Sequence, residues 1–405
     1  MSNLNRILVV GAGPAGSSAA VGALRAGANV TIIDRKTNVG IPVQCGEAIG
    51  KTGPGVAEIE IPKEAIRAPL RGFRIYSPAQ IAVDYATPEP SGFIVDRRVF
   101  DKELFARATE AGAESLLGAR VIDVTRSQGT VDGVVIRHEG QRKTLKGSVV
   151  IGADGVNSQI ARFTGLRKSY KPDDIDSCFA YEMSNCDLET TDLMEFLLGS
   201  EVSPRGYIWI FPKGNRRANV GIGIGGTIET QTAKEYLDHF LKRHGVAKRQ
   251  LSAARVIETR VGALPVCGPN RVNVVDGAML VGDAAGQVHP ITGGGMGYAM
   301  VCGNIAGRVA AECTSRSQVA ATNLQQYEKE WRKLYGAEFD QSLKLRDLLL
   351  KTDDETLDKL AGIVTGESIV KMTAGKKVKI FMKAMATKDR KLIALMQELR
   401  KLRMV

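Results

Sequence analysis

The chain has 405 residues, 44% of them hydrophobic and 24% charged, and a formal net charge of +11. That length supports a large core in two or more domains. No apolar run is long enough to span a bilayer, the N-terminus enters the first strand too soon to leave room for a signal peptide, and the six cysteines (Cys45, Cys178, Cys186, Cys267, Cys302, Cys313) contain no C-x-x-C pair of the zinc or iron–sulfur kind. A reducing cytosol is the expected compartment.

Residues 6–10, with a continuous apolar run over 7–10, read as a buried parallel strand. Gly11-Ala12-Gly13-Pro14-Ala15-Gly16 follows. Gly11 permits a tight turn, Gly13 lets the backbone approach a pyrophosphate, and Gly16 lets the next helix, about 15–26, pack on the strand. That helix aims its free N–H groups at the phosphates. Residues 29–33 are the next strand, and Asp34 at its end suits a ribose 2′-hydroxyl. Alone, this signature fits FAD or NAD.

Two later signatures favour FAD. A strand over 148–151 ends at Gly152-Ala153-Asp154-Gly155, and a strand over 277–281 ends at Gly282-Asp283. Asp283 at a strand's carboxyl end is placed to hold a ribityl hydroxyl. Gly293-Gly294-Gly295-Met296 then opens a helix from about 296 to 310, whose bare N–H groups suit an anion at the N1/C2=O edge of a reduced flavin. His289 either shapes this loop or takes part in the chemistry.

Between these segments the texture changes. Residues 71–85 read as extended, with a turn at Ser77-Pro78, and short β-like runs cover 178–183, 194–198, 207–211 and 218–224 before a helix at 233–243. The expected organisation is a doubly wound α/β FAD-binding domain (1–70, 95–165 and 270–326). A substrate-binding antiparallel sheet (71–94 and 166–269) is inserted into it, and a C-terminal helical segment (327–405) follows. There is no internal repeat and no second GxGxxG domain for a nicotinamide.

In 207–211, alternation places Tyr207, Trp209 and Phe211 on one face and Ile208 and Ile210 on the other. With 5% aromatic residues in the chain, such a face is either an apolar-substrate wall or core filling. Lys213 either meets a lipid phosphate or sits in water. From 376 to 405, ten basic residues face two acids, with Ile380, Phe381, Met385, Leu392, Ile393, Met396, Leu399 and Leu402 at near-helical spacing. This stripe fits either an anionic membrane surface or the protein's own surface. No recognisable nucleic-acid module accompanies the charge.

Val43-Gln44-Cys45-Gly46-Glu47 and Tyr207-Ile208-Trp209-Ile210-Phe211-Pro212-Lys213-Gly214 carry a resemblance. The chain resembles, over nearly its whole length, the geranylgeranyl reductase family, most closely the archaeal digeranylgeranylglycerophospholipid reductases, within the p-hydroxybenzoate-hydroxylase-like flavoprotein fold. The second segment looks like the family's Y-x-W-x-F-P-K-x motif. The resemblance implies saturation of geranylgeranyl chains on ether lipids by hydride from reduced FAD, on a protein peripheral to the inner face of the cell membrane. The electron donor would be external: ferredoxin, a deazaflavin or NAD(P)H. Carried over, the FAD contacts are Ala15, Asp34, Cys45, Gly46, Ala48, Arg97 or Arg98 (the R-x-x-F-D spacing favours Arg97), Val121, Asp283, Gly295 and Met296. Asp34 stands where glutamate is common, and Met296 where isoleucine is common. Cys45 is the candidate catalytic residue, able to orient substrate, gate the flavin or donate a proton; the alternative is a small residue without chemistry. Other readings are a monooxygenase or halogenase of the same fold, against which the absence of W-x-W-x-I-P counts, and a flavin-containing lipid-binding protein at the membrane surface that catalyses nothing.

Overall fold

The computed structural model describes residues 5–56, 59–226, 231–364 and 374–402. A six-stranded sheet runs in the order Val274–Val275, Ala278–Leu280, Val149–Gly152, Arg6–Val10, Asn29–Asp34, Glu114–Leu117. All neighbours are parallel except the first pair. Its central strands are apolar on both sides because both faces are covered. Ile7, Val9 and Ile32 pack under the helices Pro14–Arg25 and Met296–Ser315. Leu8, Val10 and Ile33 pack against a three-stranded antiparallel sheet that carries Val121 and Val134. The two helices cross at van der Waals distance. A Cβ on Gly303 would stand 2.3 Å from the Ala15 carbonyl oxygen, so only glycine allows this approach. The crossing brings the N-termini of both helices to the carboxyl edge of the sheet, where open α/β sheets hold ligands.

A second sheet has seven strands in the order Arg255–Pro265, Ile175–Ser184, Ala218–Gly225, Tyr207–Pro212, Leu193–Leu197, Gly72–Tyr76, Ala82–Ala86. Leu193–Leu197 and Gly72–Tyr76 pair in parallel and the other neighbours antiparallel, so the sheet is mixed where an antiparallel one was expected. Its back face, with Phe179, Tyr181, Ile208, Ile210 and Ile222, packs under the helix Ala233–Arg243 through Leu237 and Phe240. A reciprocal Thr232–Glu235 capping box starts that helix. A small antiparallel sheet is formed by Ala48–Gly50, Gly92–Val95 and Ile66–Leu70.

One expectation needs correction. The domain boundary placed at 327 falls inside one helix, Ala321–Leu349. Leu324, Tyr327 and Trp331 form one buried stripe against the core of the parallel-sheet domain, so helical periodicity carries through the proposed boundary. The C-terminal apolar stripe is also spoken for. Ile380, Leu392, Leu395, Met396 and Leu399, from Ala374–Ala386 and Arg390–Lys401, bury one another with Leu345, Leu348 and Leu360. These side chains fill a core of the protein itself, as in the own-surface alternative. Lys391 pairs with Asp353 at 2.6 Å, and Arg400 lies over the Phe381 ring; Arg403 lies outside the described residues. Among the described residues no helix is long and apolar enough to cross a membrane.

Candidate active site

One cavity of about 540 Å³ lies between the two large sheets. One end is walled by the loops at the carboxyl edge of the parallel sheet: Gly13, Ala15, Ala153, Asp283 and Gly293 to Met296. The other end is walled by the front face of the seven-stranded sheet, including Phe196, Tyr207, Trp209 and Phe211. The segment Gln44 to Gly50, with Cys45, Gly46 and Ala48, runs along it.

At the first end, both helix N-termini lack a side-chain cap: Gly13 and Gly295 occupy the capping positions and offer none. Orphan backbone N–H groups therefore face the space. No atom lies within 4 Å of where a Gly13 Cβ would be, whereas a Cβ on Gly16 would collide with the Gly11 carbonyl. Gly13 borders open space and Gly16 serves packing. Gly11 has φ +111° and turns the chain beside Ala153. Asp34 accepts hydrogen bonds from Ala12 N–H (2.7 Å) and Lys36 N–H (2.8 Å). Its carbonyl accepts from Ala119 N–H, which brings Val121 alongside. Asp34 and Val121 thus lie beyond the wall of the cavity, at the outer end of the glycine loop.

Arg97 and Arg98 separate cleanly. Arg97 lines the cavity and makes a bidentate pair with Asp101, at 2.6 and 2.8 Å. Burial opposes its charge, while Asp101 and Cys45 keep the guanidinium protonated. Arg98 turns away to Glu258 at 2.5 Å. Burial pushes the Asp283 carboxyl upward, and Arg97 partly offsets this. Asp154, the aspartate of the second signature, is spent on Ser158 and the N–H groups of Gln159 and Ile160. His289 shapes the glycine loop: its Nδ1 accepts from Ile291 and Thr292 N–H, and its Nε2 meets Ser342 Oγ at 2.9 Å. Burial lowers its pKa, in keeping with a neutral ring.

At the other end, alternation does what the sequence indicated. Tyr207, Trp209 and Phe211 share the cavity side, and Ile208 and Ile210 the opposite core. Phe196 from the neighbouring strand meets Tyr207 and Phe211 edge to face, at 5.2 and 5.4 Å. Tyr207 donates its hydroxyl to the Thr292 carbonyl at 2.6 Å, tying the aromatic wall to the glycine loop. The facing strand is stripped of side chains: Trp209 lies opposite Gly221, and Tyr207 opposite Gly223. A Cβ on Gly221 would stand 2.2 Å from the indole, so the glycine provides the seat for the ring.

Lys213 is neither in water nor at the cavity surface, and both expectations for it are corrected. Its ammonium is buried between Glu47 (2.6 Å) and Glu182 (2.7 Å). Arg260 completes the cluster, 2.7 Å from Glu47 and 2.5 Å from Glu182. Lys213 follows the last strand residue, Pro212, and a buried ammonium requires counter-charges. Asn219 and Arg260 both donate to the Cys45 carbonyl, and Asn219 also accepts from the Trp209 indole N–H at 2.9 Å. Cys45 is a free thiol whose Sγ accepts from the Glu47 N–H at 3.2 Å. The ion cluster thus anchors the Cys45 loop against the aromatic wall. Sequence reading gave no role to Glu47, Glu182, Asn219 or Arg260. The alternating glycines of Ala218–Gly225 were a signal it could have used.

These features fit FAD. Uncapped backbone donors at two helix starts, open space at Gly13, and Asp283 and Arg97 on the wall of the same cavity are what a long dinucleotide needs. A model of FAD dependent oxidoreductases matches residues 6–167, and one of the geranylgeranyl reductase catalytic domain matches 174–264. The digeranylgeranylglycerophospholipid reductase of Methanocaldococcus jannaschii is 38% identical over 98% of this chain and 99% of its own. Digeranylgeranylglycerophospholipid reductase 2 of Methanopyrus kandleri is 40% identical over 92% of this chain and 93% of its own. The crystal structure of a geranylgeranyl bacteriochlorophyll reductase-like protein from Thermoplasma acidophilum superposes with a TM-score of 0.88 at 33% identity, covering 98% of this chain and 99% of that one. The flavin-dependent brominase Bmp2 shares the fold at a TM-score of 0.70 and 18% identity, covering 96% of this chain and 99% of that one. With both family models falling on the two large sheets and relatives matched nearly end to end, the chain belongs to the geranylgeranyl reductase family of FAD-dependent oxidoreductases.

Proposed function

We propose that this protein saturates the isoprenoid C=C bonds of geranylgeranyl chains on archaeal ether phospholipid precursors. The observation that carries the reading is the single cavity that joins a dinucleotide cradle to an aromatic, largely apolar wall. Reduced FAD, when bound, supplies the hydride. The chain's own residues do the rest. Tyr207, Trp209, Phe211 and Phe196 hold an apolar chain and keep water out, so that the alkene meets its reaction partners at short range. Cys45, carried by the loop that Asn219 and Arg260 anchor, orients the chain at the junction of the two ends. Arg97 and Asp283 serve the cofactor end. Among the described residues there is one nucleotide-binding sheet, and reducing equivalents come from an external donor: ferredoxin, a deazaflavin or NAD(P)H.

The membrane face lies elsewhere than the basic tail. Val261, 61% exposed, both lines the cavity and reaches the surface. Ile257 and Val256 on the same edge strand, and Ile41 beside the Gln44–Val261 hydrogen bond, are exposed as well. This apolar rim is the side that docks on a lipid bilayer at the inner face of the cell membrane and admits the chain.

The test is anaerobic incubation of photoreduced holoprotein with a digeranylgeranyl glycerophospholipid, followed by mass spectrometry. The expected product gains two hydrogens per double bond. Product formation that requires oxygen would indicate a monooxygenase or halogenase, and an unchanged lipid would indicate a carrier.

A further inference from the structure

A trisubstituted alkene has no carbonyl to accept electron density, so hydride arrival at one carbon must be matched by a proton at the other. The acidic groups lining the cavity are Cys45, Glu47, Asp176, Cys178, Tyr207 and Asp283. Five are committed or too weak. Glu47 is paired to Lys213 and Arg260. Asp283 stands at the cofactor end beside Arg97. Tyr207 gives its hydroxyl to Thr292, and burial pushes its phenol far up. Burial pushes the Cys178 thiol up to about 12. Cys45 is a thiol, a weak acid toward an alkene.

Asp176 differs from all of these. It is 8% exposed and follows the alternation that also turns Cys178 and Ala180 toward the cavity. Its Oδ1 has no hydrogen-bond partner. Its ion pair with Arg346 Nη2, on the long helix Ala321–Leu349, is long at 3.7 Å, and that nitrogen makes no hydrogen bond either. Buried carboxylates are normally saturated with donors; this one keeps an oxygen that accepts no hydrogen bond at the cavity wall. Arg346 and Arg205 favour its charge, Tyr207 and Cys178 face it from the sheet, and burial dominates, so the carboxyl titrates at about 6.

We propose that Asp176 is the acid that protonates the alkene, with Arg346 positioned to stabilise the carboxylate left behind. This rests on the reductase reading. The Asp176 carboxyl proton forms a C–H bond at one alkene carbon as the π bond breaks. The other carbon takes the hydride from reduced FAD, which is thereby oxidised. The carboxylate, beside Arg346, regains its proton from water.

The experiment compares wild type, Asp176→Asn and Arg346→Met as holoproteins. In oxidised protein without lipid, infrared difference spectra across pH should show a carboxylic C=O band that titrates near 6. The band should be missing in Asp176→Asn and titrate higher in Arg346→Met. With photoreduced protein and lipid, Asp176→Asn should lose on the order of 100-fold in single-turnover saturation while its flavin spectrum and lipid binding stay unchanged. Wild type that reduces no lipid overturns the reductase reading. Wild type that reduces lipid, with Asp176→Asn equally fast or an unchanged infrared titration, overturns the role of Asp176 alone.

Discussion

The Lys213 ammonium lies 2.6 Å from the Glu47 carboxylate, with both side chains almost entirely buried. The two belong to separate sequence motifs, 166 residues apart. Their pairing, with Glu182 and Arg260, fixes the loop that carries Cys45 to the sheet that carries Trp209. Removing one partner of a buried pair leaves an uncompensated charge.

Lys213→Met should therefore cost about 3–5 kcal/mol, read as a lower urea midpoint. Adding Glu47→Gln to Lys213→Met should recover part of that loss, because the two effects are coupled. Strictly additive losses would argue against the cluster as a unit.

Gly221→Ala places a methyl where the Trp209 ring now sits, 2.2 Å from its nearest carbon. The indole must move. The expected cost is about 1–3 kcal/mol, with a shift of tryptophan emission. Only Trp209 and Trp331 contribute to that emission, so a Trp331→Phe background isolates the effect. Unaltered emission and melting would refute this seating of the ring.

Gly13→Val meets no protein atom within 4 Å of its Cβ, so the apoprotein should keep its circular dichroism and melting temperature. The side chain fills the approach to the pyrophosphate, and FAD affinity should fall by ~100-fold or more, ~2.7 kcal/mol. Flavin absorbance retained through purification at wild-type level would contradict this.

The two arginines of one helix turn should behave differently. Arg98 pairs with Glu258 at a partly exposed site, so Arg98→Gln should cost less than about 1 kcal/mol and leave the flavin spectrum alone. Arg97→Gln leaves the buried Asp101 unpaired and should weaken FAD retention. Equal flavin content in the two purified variants would contradict the assignment.

Asp176 also makes stability depend on pH. Its carboxyl titrates at about 6 in the folded chain, against about 3.9 when unfolded. The folded state therefore binds the proton more tightly. The resulting stabilisation is complete below about pH 4 and is lost as pH rises through about 6, with a ceiling of about 3 kcal/mol. Asp176→Asn should gain stability relative to wild type between those limits, in urea titrations of the apoprotein. Parallel pH profiles would contradict the raised pKa.

Local pattern was enough for much of this molecule. The strand–glycine–helix unit at 6–25, the capped helix Ala233–Arg243 and the alternation of Tyr207, Trp209 and Phe211 are each written within a short run of neighbouring residues, because backbone geometry and side-chain period act at that range. Arg97 was favoured over Arg98 by spacing, and folding gave the two opposite surroundings. The rest depended on which faces meet. Glu182 and Arg260 look like solvated strand charges until adjacent strands bring them together with Lys213. The C-terminal stripe has the moment of a membrane helix, and only its packing against Leu345 and Leu348 decides that it is core. Nothing near Asp176 in the chain marks its Oδ1 as lacking a hydrogen bond, since its counter-ion comes from a helix that follows both sheets. Sequence periodicity sets which side of an element is apolar or charged, whereas desolvation and pairing depend on contacts between segments far apart in the chain, which form only on folding.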